Sequence, residues 1–117
     1  MHSEAAGVRR HLMDIRANTL LAQEFTKDKT FEQFLGDKLV FYGVTRYLEI
    51  ISEASRRLPE ELKARHPISP WADMAGAGIV FRHDYEDVQH KLVWGTVHNR
   101  LPALLAVIDA ELLKETE

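Results

Sequence analysis

Arg82, His83, Asp84 and Tyr85 stand side by side and supply a guanidinium, an imidazole, a carboxylate and a phenol within four positions. An imidazole can take and give a proton near neutral pH, and a guanidinium beside it can hold phosphate charge. The cluster is therefore suited to binding and working on a phosphate. The plainer reading of such a run is a solvated turn. Ahead of it lies Trp71-Ala72-Asp73-Met74-Ala75-Gly76, followed by a second glycine at 78, where the helical pattern of the chain weakens.

A second group of charges has a different pattern. Arg46, Glu49, Glu53 and Arg56 fall at i, i+3, i+7 and i+10, the spacing of one helical face. Surface ion pairs worth a few tenths of a kcal/mol each explain that spacing without any site. Among the six histidines, His83, His90 and His98 are seven and eight apart. No His-x-x-x-His or Glu-x-x-His pair accompanies them and no carboxylates complete a tetrahedral set, so no metal is expected. His11, His66 and His98 read as surface or boundary residues. Gly-x-Ser-x-Gly is absent, and Gly76-Ala77-Gly78 alone is not a phosphate-binding loop.

The elements that must position these groups are helical. A first helix opens near Ser3, carries Val8, Leu12, Ile15 and Ala22 on one face, and stops before Lys27-Asp28-Lys29. Thr30 stands three residues ahead of Gln33 in a capping-box pattern, and one long second helix should follow. Its stripe is Phe34, Phe41, Val44, Leu48, Ile51 and Leu58, with Pro59 as the stop. Pro59-Glu60-Glu61 opens a short helix to about Arg65, and Ser69-Pro70-Trp71 repeats the opening with serine as cap. Asp87 caps a last helix with Val93, Val97, Leu101, Leu104, Ile108 and Leu112 on one face and a kink at Pro102. No alternating run bounded by hairpin dipeptides signals a strand. The expected architecture is an all-α antiparallel bundle of four to five helices.

With 117 residues the chain is expected to form one domain over 1–117. A net charge of -3 and an apolar fraction of 45% exclude a disordered chain and a strongly basic, nucleic-acid-coating one. There are no cysteines, which excludes disulfides, thiolate metal sites and cysteine nucleophiles and is compatible with the cytoplasm. No apolar run is long enough to span a bilayer. No cofactor is implied, and the reading is of a cytoplasmic protein.

Three ordered blocks resemble the HepT family of the HEPN superfamily. The first is Leu48-Glu49-Ile50-Ile51-Ser52-Glu53-Ala54 with Leu58-Pro59, preceded by Arg46. The second is Pro70-Trp71, Met74-Ala75-Gly76 and His83-x-Tyr85, and the third is Val93-Trp94 with Leu101-Pro102-x-Leu104. The resemblance implies a homodimeric helical bundle, a component of toxin-antitoxin pairs, whose active members are metal-independent RNA endonucleases with the two polar clusters meeting at a shared cleft. It implies His83 as general acid/base, with Asp84, Arg46, Glu49 and Glu53 as supporting groups of the cleft. Tyr85 would be the residue that a small nucleotidyltransferase antitoxin adenylylates. The apolar stripe of the second helix, with Trp71 and Trp94, is expected to supply the dimer surface.

The sequence departs from the family at one place. An arginine followed by asparagine belongs four to six residues before the histidine, and Gly78-Ile79 stands there. Arg82, adjacent to His83, is the provisional replacement cation. The alternative is a non-catalytic partner of a nucleotidyltransferase that keeps the scaffold without cleavage.

Overall fold

The structure, a computed structural model, describes residues 2–69, 71–74 and 86–115. Helix α1 runs His2–Thr26, α2 Phe31–Leu35, α3 Lys38–Arg56, α4 Glu60–Ala64, α5 Glu86–Asn99 and α6 Leu101–Glu115, with a further helical turn over 71–74. No strand occurs among the described residues, so the all-α class read from the periodicity is the observed one.

α1 is the central partner. Leu12, Ile15, Thr19, Ala22 and Thr26 recur at three-four spacing and are all buried. α3 lies antiparallel along one side, Phe25 near the end of α1 stacking on Tyr47 at 6.0 Å. α6 lies antiparallel along another, with Arg16 and Asp109 paired at 2.9 Å. The core between them holds Phe34, Phe41, Val44, Leu48, Ile51, Leu58, Val93, Val97, Leu101, Leu104 and Ile108, with Val8 and Leu112 half-buried at its edge. Apart from those two edge positions, the apolar residues assigned to the interior by spacing are buried.

The long second helix is in fact two. Thr30 and Gln33 make the reciprocal capping box, but α2 lasts five residues before Gly36 ends it. Asp37 then opens α3, its carboxylate accepting from the Val40 amide at 3.1 Å. The stripe survives because Phe34 reaches the same core from the short helix, its ring edge against Phe41 at 5.9 Å. α3 also ends earlier than Pro59, with Arg57 as its C-cap, and Pro59 is the N-cap of α4.

The last helix is likewise divided. Arg100 separates α5 from α6, and Pro102 sits in the first turn of α6, where a missing amide costs little. The expected kink is therefore a break between helices. Asp87 lies inside α5 rather than ahead of it.

The apolar stripe and the tryptophans expected to face a second copy are occupied within this chain. Trp71 and Trp94 both pack against the core, Trp94 with its ring 5.2 Å from Phe34. Among the described residues the most exposed large apolar side chains are others, Ile68 at 97%, Leu39 at 84%, Leu113 at 67% and Tyr42 at 64%.

Candidate functional site

Arg82, His83, Asp84 and Tyr85, together with Gly78-Ile79, lie outside the described residues. What the structure describes is the frame on either side of them. On the N-terminal side, the Trp71 indole N–H donates to the carbonyls of Lys63 at 3.2 Å and His66 at 3.0 Å, which joins the 71–74 turn to the end of α4. Met74 is fully buried, and Asp73 pairs with Arg100 at 3.5 Å. On the C-terminal side, His90 of α5 is buried between aromatic rings, stacked on Phe41 at 3.9 Å.

Arg46, Glu49 and Glu53 line a groove of about 330 Å³ between α3 and α1, where Arg10, His11 and Asp14 complete the opposite wall. Antiparallel packing brings this about, since the start of α1 faces the end of α3. Ile50 and Ala54 add apolar surface to the lining. Glu53 is held on two sides, by Arg56 at 2.6 Å and Arg57 at 2.9 Å, and these guanidinium hydrogen bonds keep its carboxyl below the usual carboxylate range. Arg56 also donates to Ser52 at 2.8 Å. Among the described residues Arg46 and Glu49 have no ion pair of their own. The wall from α1 was not legible in the sequence, because nothing in local spacing says which helix lies against α3. His11, read there as a surface residue, lines this groove.

The other prominent polar centre went unread. Glu111 continues the buried face of Leu104 and Ile108 and is 0% exposed. Its carboxylate accepts from Arg65 at 2.8 and 3.3 Å and from Lys114 at 3.3 Å, and meets the His66 Nε2 at 2.6 Å. The Arg65 hydrogen bond outweighs burial, which alone would raise the value, and with His66 and Lys114 draws the carboxyl down to about 2. His66 is thus a structural partner of α6. His98 rests on the Trp94 ring at 4.1 Å. No group of three or more His, Asp or Glu side chains among the described residues is placed to hold a metal ion, and no described helix is long and apolar enough to cross a membrane.

An all-α antiparallel bundle with a charged groove between its two longest helices is the class of protein that these elements define. Comparison narrows it. The family model described as "Ribonuclease HepT-like" matches residues 15–111, and the chain belongs to this HepT-like family of the HEPN superfamily. A Thermococcus cleftensis protein named "Probable ribonuclease HepT" is 40% identical over 94 residues, covering 80% of this chain and 86% of its own length. A Methanocaldococcus jannaschii protein named as a "Putative RNase" is 36% identical over 110 residues, 94% of this chain and 90% of its own. A third, named in the same way, from Caldanaerobacter subterraneus, is 34% identical over 92 residues, 79% and 82%. No solved structure gives a significant match.

Proposed function

We propose that this chain is a metal-independent RNA endonuclease, working as a homodimer in the cytoplasm with residues 1–117 acting as one domain. The observation that carries the reading is the family match across 15–111, which spans His83 and Tyr85, to relatives named as ribonucleases. His83 takes the proton of a ribose 2′-hydroxyl, the 2′-oxygen attacks the adjacent phosphorus, and the bond to the 5′-oxygen breaks. The leaving oxygen takes up a proton, and the products are a 2′,3′-cyclic phosphate and a 5′-hydroxyl. Arg82 stabilises the charge that gathers on the phosphorane oxygens, in place of the arginine that Gly78 lacks. Asp84 and the groove residues Arg46, Glu49 and Glu53 support the cleft.

Regulation follows from Tyr85. A nucleotidyltransferase antitoxin would direct the phenol oxygen onto the α-phosphorus of ATP, with loss of the phenol proton and release of pyrophosphate. The attached AMP brings a phosphodiester beside Arg82 and His83 and competes there with RNA phosphate. Labelled RNA incubated in EDTA with wild type, His83→Ala and Arg82→Ala tests the reading. Cleavage by wild type that falls by a similar factor, about a hundredfold or more, in each variant is the expected result. Arg82→Lys should restore it only in part, because lysine lacks the planar fork.

The replacement of the Arg-Asn pair by Gly78-Ile79 favours a second reading, a non-catalytic docking partner of the nucleotidyltransferase. It becomes the better one if wild type cleaves no RNA above the His83→Ala background.

A further inference from the structure

A polar groove of about 280 Å³ opens where residues 68–73 meet the junction of α5 and α6. Asp73 and Arg100 lie side by side in its lining, carboxylate oxygen and guanidinium nitrogen 3.5 Å apart and both side chains more than half exposed. That separation is beyond a good hydrogen bond, and an ion pair so open to water contributes little to the fold. Both groups are available to a ligand. Ser69 lines the same groove, and its hydroxyl, closed from solvent, has no hydrogen-bond partner among the described residues. Ala72 and Ala103 leave room in the lining, and Ile68, 97% exposed, adds an apolar side.

The charges select the ligand. Asp73 and Arg100 sum to zero, and the carboxylate repels a phosphate, so the groove suits a neutral group that sets hydrogen-bond donors beside acceptors. Nucleobases of single-stranded RNA are such groups, read along their edges by side chains. Guanine alone presents two neighbouring donors, N1–H and N2–H, to the two oxygens of a carboxylate, with O6 beside them to accept from a guanidinium. Adenine and cytosine offer the carboxylate one amino group and uracil one ring N–H, which leaves an oxygen unmet. Ile68 can lie against the flat face of the ring.

We propose that this groove is a base subsite for single-stranded RNA that takes one guanine, Asp73 accepting from N1–H and N2–H while Arg100 donates to O6. The proposal rests on the nuclease reading above and adds which base the substrate carries. The 71–74 turn precedes, and α5 directly follows, the stretch of chain that holds Arg82 to Tyr85. α5 has 14 residues and spans about 20 Å, which sets the guanine a few nucleotides from the bond that is cut.

His83→Ala in EDTA should hold RNA without cutting it, so the base preference can be read as affinity. Labelled oligoadenylate carrying one guanosine, moved along the strand position by position, should bind about tenfold tighter at the favoured position than oligoadenylate alone. Inosine there keeps N1–H and O6 but lacks the amino group, and should lose most of the gain. Asp73→Asn, which exchanges a carboxylate oxygen for an amino group, should bind the guanosine and adenosine strands alike, and Arg100→Ala should narrow the difference. Wild type should cut the guanosine strand at one fixed distance from the guanine. No gain at any position, or a gain that Asp73→Asn leaves intact, overturns the subsite, while cleavage by wild type keeps the nuclease reading standing. Equal binding of inosine and guanosine strands overturns the role of Asp73 without any change to the protein. A wild type that neither binds nor cuts RNA overturns both readings.

Discussion

Glu111 shows what one residue can hide. Its neighbours in sequence, Leu112 and Leu113, are apolar, and a reader of periodicity places Leu112 on the buried face; the structure buries Glu111 and leaves Leu112 at the edge. The partners that make this tolerable are Arg65 and His66, some forty-five positions away. No local pattern could have named them. The folded carboxyl titrates at about 2 against an ordinary value of 4.5, so its stabilising contribution is whole above 4.5 and is lost as pH falls toward 2. Glu111→Gln should cost about 2–3 kcal/mol at pH 7, less than for a fully enclosed ion pair because Arg65 and Lys114 remain half exposed. Denaturant midpoints measured from pH 7 downward should show the difference from wild type closing below 4.5. A gap that stays constant to pH 2.5 would contradict the assignment. The chemistry proposed for Arg82 and His83, by contrast, rests on residue types alone, since acid-base and phosphate-binding groups announce themselves by identity.

At the scale of elements, the sequence told where helices lie better than where they break. Thr30 and Gln33 announced a helix start, and the structure has their capping box. The stop at Gly36 and restart at Asp37 were invisible because Phe34, Phe41, Val44 and Leu48 keep nearly helical spacing across the break, and all four reach one core. Asp37 carries the evidence of the restart in its bond to the Val40 amide. Asp37→Ala should therefore lower stability by about 1 kcal/mol, read as a fall in melting temperature, whereas an uninterrupted helix would gain from alanine there. The Arg100 break was half legible: Pro102 marked the place, but proline in a first turn and proline at a kink look alike in sequence. The groove that gathers Arg46, Glu49 and Glu53 was legible only on its α3 side for a related reason. Helical spacing orders residues on one helix and is silent about the helix that faces it.

At the scale of the whole molecule, α1 binds the rest together, covered by α3 along one side and by α6 along another. Leu48, fully buried on α3, lies in the core these helices share, and Leu48→Ala should cost about 2–5 kcal/mol in chemical unfolding. A change as small as that of an exposed leucine would mean that α3 leaves the bundle easily. The same placement has a consequence for the order in which the chain is made. α3 follows α1 closely in the sequence, so the two can join as an early hairpin while translation continues. α6 is synthesised much later, at a ribosomal pace of about 5–20 residues per second. Until Asp109 emerges to meet Arg16, ninety-three positions earlier, the side of α1 that α6 will cover remains open to water and to other chains. The nascent protein is thus most exposed to misassociation in the seconds before α6 arrives, and the completion of this bundle is timed by the ribosome.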